Sequence, residues 1–500
     1  MGTGWSSISE QADKLLKTGQ VAEARALIES ASAKDFPREG RAKLAHLQIR
    51  SGLFTDAMTA LHPVIHPKTQ LKVPVTGYEQ AVYSLALAKI GSTDEALKLL
   101  EGLSDSVPEK SLHTAFALQG IWDYAAAIPH LEKYLSRTDV SEYESTVARV
   151  NLVACLIGAG RGEDARPHLA ESLAITKKEN WTLLNRNLQE LSGQLLMGLS
   201  DYQEAKRELG RASALLDSQG SIFDFFIAKW NAFIDLKIDP ASELARAGVR
   251  NIRSQAAGLR HYETVRECDR ALAVAAHDKE LYLKVYYGTP FLAYRRTLLL
   301  SASSWFQIPP DFVFGDKLGK IFDLKKATSL DGSLELKPGQ TVHRCLMALA
   351  SDLYKPLFLG HVHAKIFPDE YFNPVSSVGR VANVVNRLRT WISEHELPLV
   401  LDVSDRMYRL EIAKGAGLGL RYSEDAVVGQ DKEELAMAAL LDRLEAALKD
   451  ERFTSAEAAE VLDVSKSSVV KVLGWGLKTE RLSKAGSSRN TSYGFVARAS

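Results

Sequence analysis

Residues 91–96 read GSTDEA, a glycine and an alanine separated by four residues, and this pattern recurs along the first 220 residues. Glycine can end a helix in a left-handed conformation, and alanine lets the next helix pack closely against the first. Each copy therefore predicts a turn between two helices. The other copies are 19–24 (GQVAEA), 52–57 (GLFTDA), 120–125 (GIWDYA), 160–165 (GRGEDA) and, with serine in place of glycine, 200–205 (SDYQEA).

After each alanine, apolar residues continue at helical spacing, so each hairpin has a face that it can bury only by stacking on the next. In this respect residues 1–220 resemble the tetratricopeptide-repeat family, although several copies lie further apart than the family's roughly 34 residues. The resemblance implies an α-solenoid whose concave face holds a protein or peptide. A scaffold without a ligand, or a dimerisation surface, is the alternative use.

Residues 221–320 keep helical periodicity without the glycine pattern, and we expect further helices that close the array. Pro309 and Pro310 break this regularity and indicate a boundary between about 301 and 326.

Residues 321–412 have a different organisation. The sequence predicts short strands near 326–336, helices at 342–353, 359–367 and 375–392, and a hairpin with strands at 399–403 and 407–412. The third helix has an apolar stripe, and its other face carries amides and arginines without an acid. That polar face consists of Arg380, Asn383, Asn386, Arg387 and Arg389.

This segment resembles the winged-helix effector domain of bacterial response regulators, through Arg387-Leu388-Arg389 at the end of the third helix and Tyr408-Arg409-Leu410 in the hairpin. The resemblance implies that the third helix meets DNA and that the wing tip meets a phosphate. The residues implied are Ser376, Ser377, Arg380, Asn383 and Arg387 for the helix, and Arg406 for the wing tip. The alternative is a winged helix that packs against the repeats and reads nothing.

Residues 453–495 read FTSAEAAEVLDVSKSSVVKVLGWGLKTERLSKAGSSRNTSYGF, which predicts two short helices, a tight turn and a hairpin. Thr454 or Ser455 can cap the first helix with Glu457 in its first turn, and Ser465 can cap the second. Residues 464–500 contain seven lysines and arginines against one acid, although the whole chain has a formal charge of zero. Such a local excess of positive charge suits phosphates.

This stretch resembles the bacterial winged helix-turn-helix family, and residues 431–500 form the second predicted winged-helix domain, with a helix at 431–450. The resemblance places the second helix of the pair in the major groove and the hairpin beside it. It implies DNA contacts for Ser465, Lys466, Ser467, Ser468 and Lys471 in the helix, and for Lys484 and Arg489 in the hairpin. A winged helix that contacts only proteins is the alternative. The glycine-rich range 413–430 is predicted to be a linker.

Cysteine spacing, apolar runs and known motifs give no indication of a zinc protein, a membrane protein or an enzyme. Cys155, Cys268 and Cys345 lie far apart without the spacing of a zinc site, which favours a reducing compartment such as the cytoplasm. No apolar run reaches the roughly 18 to 20 residues of a membrane helix, and the N-terminus lacks a signal-peptide pattern. No phosphate loop, dinucleotide fingerprint or nucleophile elbow occurs. His361 and His363 would point to different sides of a helix, so we expect no metal, no cofactor and no catalytic centre.

The sequence therefore predicts a mainly α protein, an α-solenoid of helical hairpins followed by two winged-helix (α+β) domains. The functional hypothesis is a cytoplasmic, non-enzymatic DNA-binding transcription regulator that binds double-stranded DNA. Its array would sense or recruit a protein, peptide or small ligand. The alternative is a protein-interaction adaptor that uses both the repeats and the winged helices as protein-binding surfaces. Whether the chain forms a homodimer stays open.

Overall fold

The computed structural model describes residues 5–31, 36–68, 73–214, 222–421, 432–448, 451–486 and 491–496. Its first part, the array, spans residues 5–302 and confirms the predicted series of helices, in which α1 to α16 each contact the next along the chain. The array helices are α1 (Trp5–Lys17), α2 (Val21–Glu29), α3 (Arg38–Arg50), α4 (Phe54–Ile65), α5 (Gly77–Lys89), α6 (Thr93–Glu101), α7 (Pro108–Gly120), α8 (Tyr124–Leu135), α9 (Glu142–Gly158), α10 (Gly162–Lys178), α11 (Thr182–Gly198), α12 (Tyr202–Ala214), α13 (Ile222–Ile238), α14 (Glu243–Gly258), α15 (Tyr262–Ala276), α16 (Lys279–Tyr287) and α17 (Leu292–Ala302).

The turns of the array follow the predicted pattern at five of its six copies. The first residue of the pattern has a left-handed backbone, with φ between +65° and +87°, in Gly19, Gly52, Gly91, Gly160 and Ser200. The alanine that ends the pattern is fully buried at each of these copies, namely Ala24, Ala57, Ala96, Ala165 and Ala205. Buried alanines at these positions let consecutive helices approach closely.

The copy at 120–125 differs from the prediction. Gly120 is the last residue of α7, Trp122 takes the left-handed conformation with φ +61°, and the buried alanine is Ala127, whereas Ala125 is exposed. Tertiary packing offsets the cost of this conformation for a non-glycine residue, because the Trp122 ring lies 5.3 Å from the Phe291 ring, centroid to centroid. The turn is therefore shifted by two residues.

The second part, the middle unit, spans residues 311–421 and combines three helices with two sheets. One sheet has the strand order β1-β7-β2-β3 and the other has the order β4-β6-β5. Its elements are β1 (Asp311–Gly315), β2 (Lys320–Asp323), β3 (Thr328–Ser329), α18 (Thr341–Ala350), β4 (Leu357–Phe358), α19 (Leu359–Ile366), α20 (Ser377–Glu394), β5 (Leu399–Ser404), β6 (Met407–Ile412) and β7 (Ala416–Arg421). The bounds of α19, α20, β5 and β6 lie within two residues of the predictions.

Two predicted boundaries of the middle unit differ from the structure. The range 413–430, predicted as a linker, contains β7, and the first strand of the same sheet begins at Asp311, ten residues before the predicted start at 321. β7 lies between β1 and β2 with Leu418 fully buried. Its glycines serve close packing, because a Cβ atom on Gly417 would lie 2.7 Å from the Asp316 carbonyl oxygen.

The third part, the C-terminal unit, comprises α21 (Lys432–Leu448), α22 (Ser455–Leu462), α23 (Lys466–Lys478), β8 (Leu482–Ala485) and β9 (Ser492–Phe495). Thr454 and Glu457 form a capping box at the start of α22, as the sequence predicted, and Asp463 ends α22 in a left-handed conformation. The Ser465 hydroxyl accepts a hydrogen bond from the Ser468 N–H and caps α23. Strands β8 and β9 pair as an antiparallel hairpin.

The array and the middle unit share one hydrophobic core and a buried ion pair. The Arg266 guanidinium on α15 donates to both carboxylate oxygens of Asp352, at 2.6 and 2.7 Å. Their side chains expose 0% and 2% of their surface. The rings of Trp122, Phe291 and Tyr354 each lie within 5.5 Å of the same guanidinium. A charge removed from water to this extent requires its partner.

We predict that Asp352→Ala lowers the free energy of unfolding by about 3–5 kcal/mol, because the buried Arg266 charge loses its buried partner and keeps only Glu263, which is one-third exposed. Urea denaturation followed by circular dichroism measures this change. Asp139→Ala is the matched control, since Asp139 pairs with Arg137 at the surface, with 58% of its side chain exposed. Equally small changes in the free energy of unfolding of the two variants would contradict a stabilising role for the buried Arg266–Asp352 pair.

Candidate nucleic-acid interface

Helix α20 separates an apolar face from a polar one. Val381, Leu388 and Ile392 lie in the core of the middle unit and expose at most 7% of their surface. The opposite face is exposed to solvent and consists of Asn383, Asn386, Arg387, Arg389 and Thr390. It offers amide and guanidinium groups, which can form paired hydrogen bonds with base edges in the major groove.

Hydrogen bonds restrain the two arginines of this face. Arg389 donates to the Leu401 carbonyl oxygen at 3.1 Å and to the Asn386 side chain at 3.3 Å. Arg387 donates to the Thr341 hydroxyl, at the start of α18, at 3.5 Å. Side chains that are already restrained lose less conformational freedom on binding.

The three predicted contacts at the start of α20 lie in different environments. Ser376 is exposed. Ser377 exposes 1% of its surface, and its hydroxyl accepts a backbone N–H from the preceding loop at 3.0 Å, so it does not belong to the exposed face. Arg380 makes a two-bond ion pair with Glu370 and lies 4.1 Å from the centre of the Phe367 ring. This ion pair holds the pKa of Glu370 below its usual value.

The hairpin of β5 and β6 projects Arg406 at its tip. Asp405 and Arg406 both have left-handed backbones, with φ of +51° and +62°, as in the tight turns that suit the twist of a hairpin. The Arg406 carbonyl oxygen accepts from the Leu359 N–H at 3.1 Å, which ties the tip to the start of α19. The Arg406 side chain is exposed.

Helix α23 presents the second polar face. Lys466, Ser467 and Lys471 are exposed, and Ser468 is half-buried. The Ser465 hydroxyl lies 2.9 Å from the Ser467 hydroxyl and 3.0 Å from the Ser468 hydroxyl. This helix therefore begins with a hydroxyl cluster beside exposed ammonium groups.

Lys484, the predicted hairpin contact of the C-terminal unit, is exposed on β8, and Arg489 lies outside the described residues. Sequence reasoning missed Val470, which exposes 66% of its surface beside Lys471. A helical wheel could have found it, since Val470 falls outside the stripe of Val469, Val472 and Leu473. An apolar side chain in such a position can contact a thymine methyl group.

An open groove of about 690 Å³ runs between α20 and the start of α18. Both charge signs occur along it, with Lys337 and Arg387 against Glu335 and Glu394. Asn386, Arg387 and Thr390 of the exposed polar face of α20 line one side of this groove.

The array holds the loop that leads into α20. The Glu95 carboxylate on α6 accepts the Phe372 N–H at 3.0 Å. The His66 ring at the end of α4 stacks on the Tyr371 ring, with centroids 4.2 Å apart and planes 9° apart. Burial raises the pKa of Glu95 to about 7. The position of α20 therefore depends on the array.

Among the described residues, no group of three or more His, Cys, Asp or Glu side chains could hold a metal ion. Burial lowers the pKa of His361 to about 3 and that of His363 to about 4. Both rings are therefore neutral at neutral pH. Within the same part of the chain, no helix is long and apolar enough to cross a membrane.

No protein-family model matches the sequence, and no curated protein matches it. Solved structures with partial likeness include a Rap protein complexed with competence and sporulation factor, at 13% identity and a TM-score of 0.40, covering 77% of this chain and 99% of that one. The apo form of RapI has 14% identity and a TM-score of 0.39, covering 60% and 91%. A tetratricopeptide repeat protein from Parabacteroides merdae has 13% identity and a TM-score of 0.32, covering 51% and 93%. Likeness at this level carries no conclusion about function.

We predict that Glu95→Gln removes a pH dependence of stability. Between pH 4.5 and about 7 the folded chain retains a proton on Glu95 that the unfolded chain releases. The free energy of unfolding therefore falls as the pH rises through this window. Relative to the variant, the parent should lose on the order of 1–3 kcal/mol of unfolding free energy between pH 5 and pH 8.

Urea denaturation at the two pH values measures the difference between Glu95→Gln and the parent. Asp94→Asn, at the exposed neighbouring position, is the control and should retain the pH dependence of the parent. Parallel pH profiles for Glu95→Gln and the parent would show that this carboxylate is not the titrating group.

Proposed function

We propose that this chain is a non-catalytic DNA-binding transcription regulator with two winged-helix reading units, the middle unit and the C-terminal unit. The observation that carries the proposal is the exposed polar face of α20, which has no acid from Arg380 to Thr390 while its opposite face fills the core. A helix, a second helix and a hairpin occur in this order in both units. This order is typical of winged helices.

The chemistry of the two faces suits different parts of a duplex. Asn386 and Arg387 carry the groups that pair with adenine and guanine edges in the major groove. Lys466, Lys471 and Lys484 carry point charges that suit phosphates, and their contacts would make binding depend on salt. Arg406 would reach a phosphate from the wing tip. These roles support duplex DNA as the ligand of both units.

The array is the part that we propose senses or recruits a protein, peptide or small ligand. Its helices carry polar side chains in partly buried positions, where Trp230 donates to Glu190 at 2.7 Å and Lys229 pairs with Glu267 at 2.5 Å. Because Glu95 and His66 hold the loop before α20, a ligand that shifts α4 or α6 could move the reading helix.

A protein-interaction adaptor is the second candidate. It is favoured by exposed apolar side chains on the same two units, since Val400 on β5 exposes 51% and Val470 on α23 exposes 66% of its surface. β5 is also an edge strand. Apolar contacts of this kind bind proteins with little dependence on salt, which separates the adaptor from the regulator.

We predict that the purified chain binds a pool of random duplex DNA and that binding weakens by at least about tenfold between 50 and 200 mM salt. Lys466→Ala with Lys471→Ala, and separately Asn386→Ala with Arg387→Ala, should each weaken binding. The lysine pair should also flatten the salt dependence, because fewer counterions are released. Fluorescence anisotropy with labelled duplex measures the affinity of the parent and of each double variant, at both salt concentrations.

Lys177→Ala with Lys178→Ala is the control, because it removes the same charge from an exposed end of α10 in the array. It should bind as the parent does. If the parent fails to bind duplex at low salt but captures a protein partner at all salt concentrations, the adaptor replaces the regulator.

A further inference from the structure

Helix α21 belongs to the C-terminal unit but is bonded to the middle unit. The Arg443 guanidinium donates to the Lys326 carbonyl oxygen at 2.7 Å, to the Ala327 carbonyl oxygen at 3.2 Å and to the Glu335 carboxylate at 2.6 Å. Only 15% of the Arg443 side chain is exposed. One side chain from one unit thus satisfies three acceptors of the other.

Asp442, the residue before Arg443, is buried between the same two units and contacts both of them. Asp442 exposes 1% of its side chain, and its carboxylate lies 2.7 Å from the Arg481 guanidinium and 3.2 Å from the Lys325 ammonium. Arg481 precedes β8 and also pairs with Glu445. A carboxylate buried between two cations is costly to separate from either one, because the remaining charge stays desolvated.

Another face of α21, formed by the residues on either side of Asp442 and Arg443, packs on α23 of its own unit. Leu441 and Leu444 are fully buried in one cluster with Val469, Val472 and Leu473 of α23. The leucine face of α21 therefore holds α23, while Asp442 and Arg443 hold the middle unit, which contains α20. A single helix thus contacts α23 through packed leucines and residues 325–335 of the middle unit through hydrogen bonds and ion pairs.

We propose that α21 is a rigid spacer that fixes the orientation of α23 relative to α20, so that the chain recognises two DNA half-sites at one fixed spacing. Asp442 and Arg443 are its positioning residues. This inference rests on the proposed DNA-binding function. It adds that the two units act as one reading surface rather than as independent binding units on a flexible connection.

If the spacer is rigid, the affinity for DNA depends on the rotational position of the second half-site around the duplex. A duplex turns once in about 10–10.5 base pairs, so an insertion of 5 base pairs between the half-sites moves the second half-site to the opposite side of the DNA. A rigid spacer cannot follow this rotation and loses one of its two contacts. Loss of the second contact reduces overall affinity by about a hundredfold, as expected when two linked sites no longer bind together.

The first experiment selects duplexes from a random pool with the full chain and then inserts 5 or 10 base pairs between the two halves of the selected site. The parent should lose about a hundredfold in affinity with 5 base pairs and regain part of it with 10. Arg443→Ala combined with Lys325→Ala removes both contacts of α21 with the middle unit, and this variant should bind the original and the 5-base-pair sites within about twofold of each other because its units can reorient. Arg250→Ala, in a surface pair with Glu243 on α14, is the control and should behave as the parent does.

A second measurement needs no DNA and therefore separates failure of this inference from failure of the proposed function. Spin labels at Ser393→Cys on α20 and Lys478→Cys on α23 report the distance between the two helices, since both positions are exposed and the three native cysteines are buried. Pulsed electron paramagnetic resonance should give a narrow distance distribution in the parent and a broad one when Arg443→Ala and Lys325→Ala are combined. A broad distribution in the parent, or equal affinity of the parent for both spacings, would overturn the spacer.

Discussion

A guanidinium and a carboxylate that are both removed from water join the helical array to the middle unit. Arg266 and Asp352 expose 0% and 2% of their side chains, so neither can exchange its partner for solvent while the chain is folded. The pair fixes α15 of the array against the segment that follows α18. In the same structure, the apolar face of α20 lies in the core that the array and the middle unit share, and its polar face remains outside.

Close backbone contact also joins the array to α19 of the middle unit. The Ile90 carbonyl oxygen accepts the His361 N–H at 3.2 Å, and a Cβ atom on Gly91 would lie 2.8 Å from the His361 Cβ. The glycine that ends α5 therefore serves two purposes, the left-handed turn and the approach of α19. The array thus contacts α19, and through Glu95 it also contacts the loop that leads into α20. These contacts join the array to the two elements that precede the candidate DNA face of α20.

Local signals in the sequence predicted α19, α20 and the β5–β6 hairpin within two residues, because helical periodicity and turn chemistry are encoded by near neighbours. They failed for β7, whose glycines resemble those of a linker but serve close strand packing, and for the turn at Trp122, which depends on aromatic contacts more than 160 residues away. The Arg266–Asp352 pair joins residues 86 positions apart, and no local pattern predicts it. In the candidate site, the exposed side chains of α20 and α23 followed from periodicity, whereas the burial of Ser377 depends on its loop.

The central claim is that the polar face of α20 meets duplex DNA while its apolar face lies in the core shared with the array. A photoreactive benzophenone side chain placed at Asn386 tests it most directly, with the same group placed at Lys178 on the exposed end of α10 as reference. After irradiation with labelled duplex, the account predicts a protein–DNA cross-link from position 386 and none from position 178. Absence of a cross-link at 386 in a chain that binds the duplex, or equal cross-linking at both positions, would contradict it.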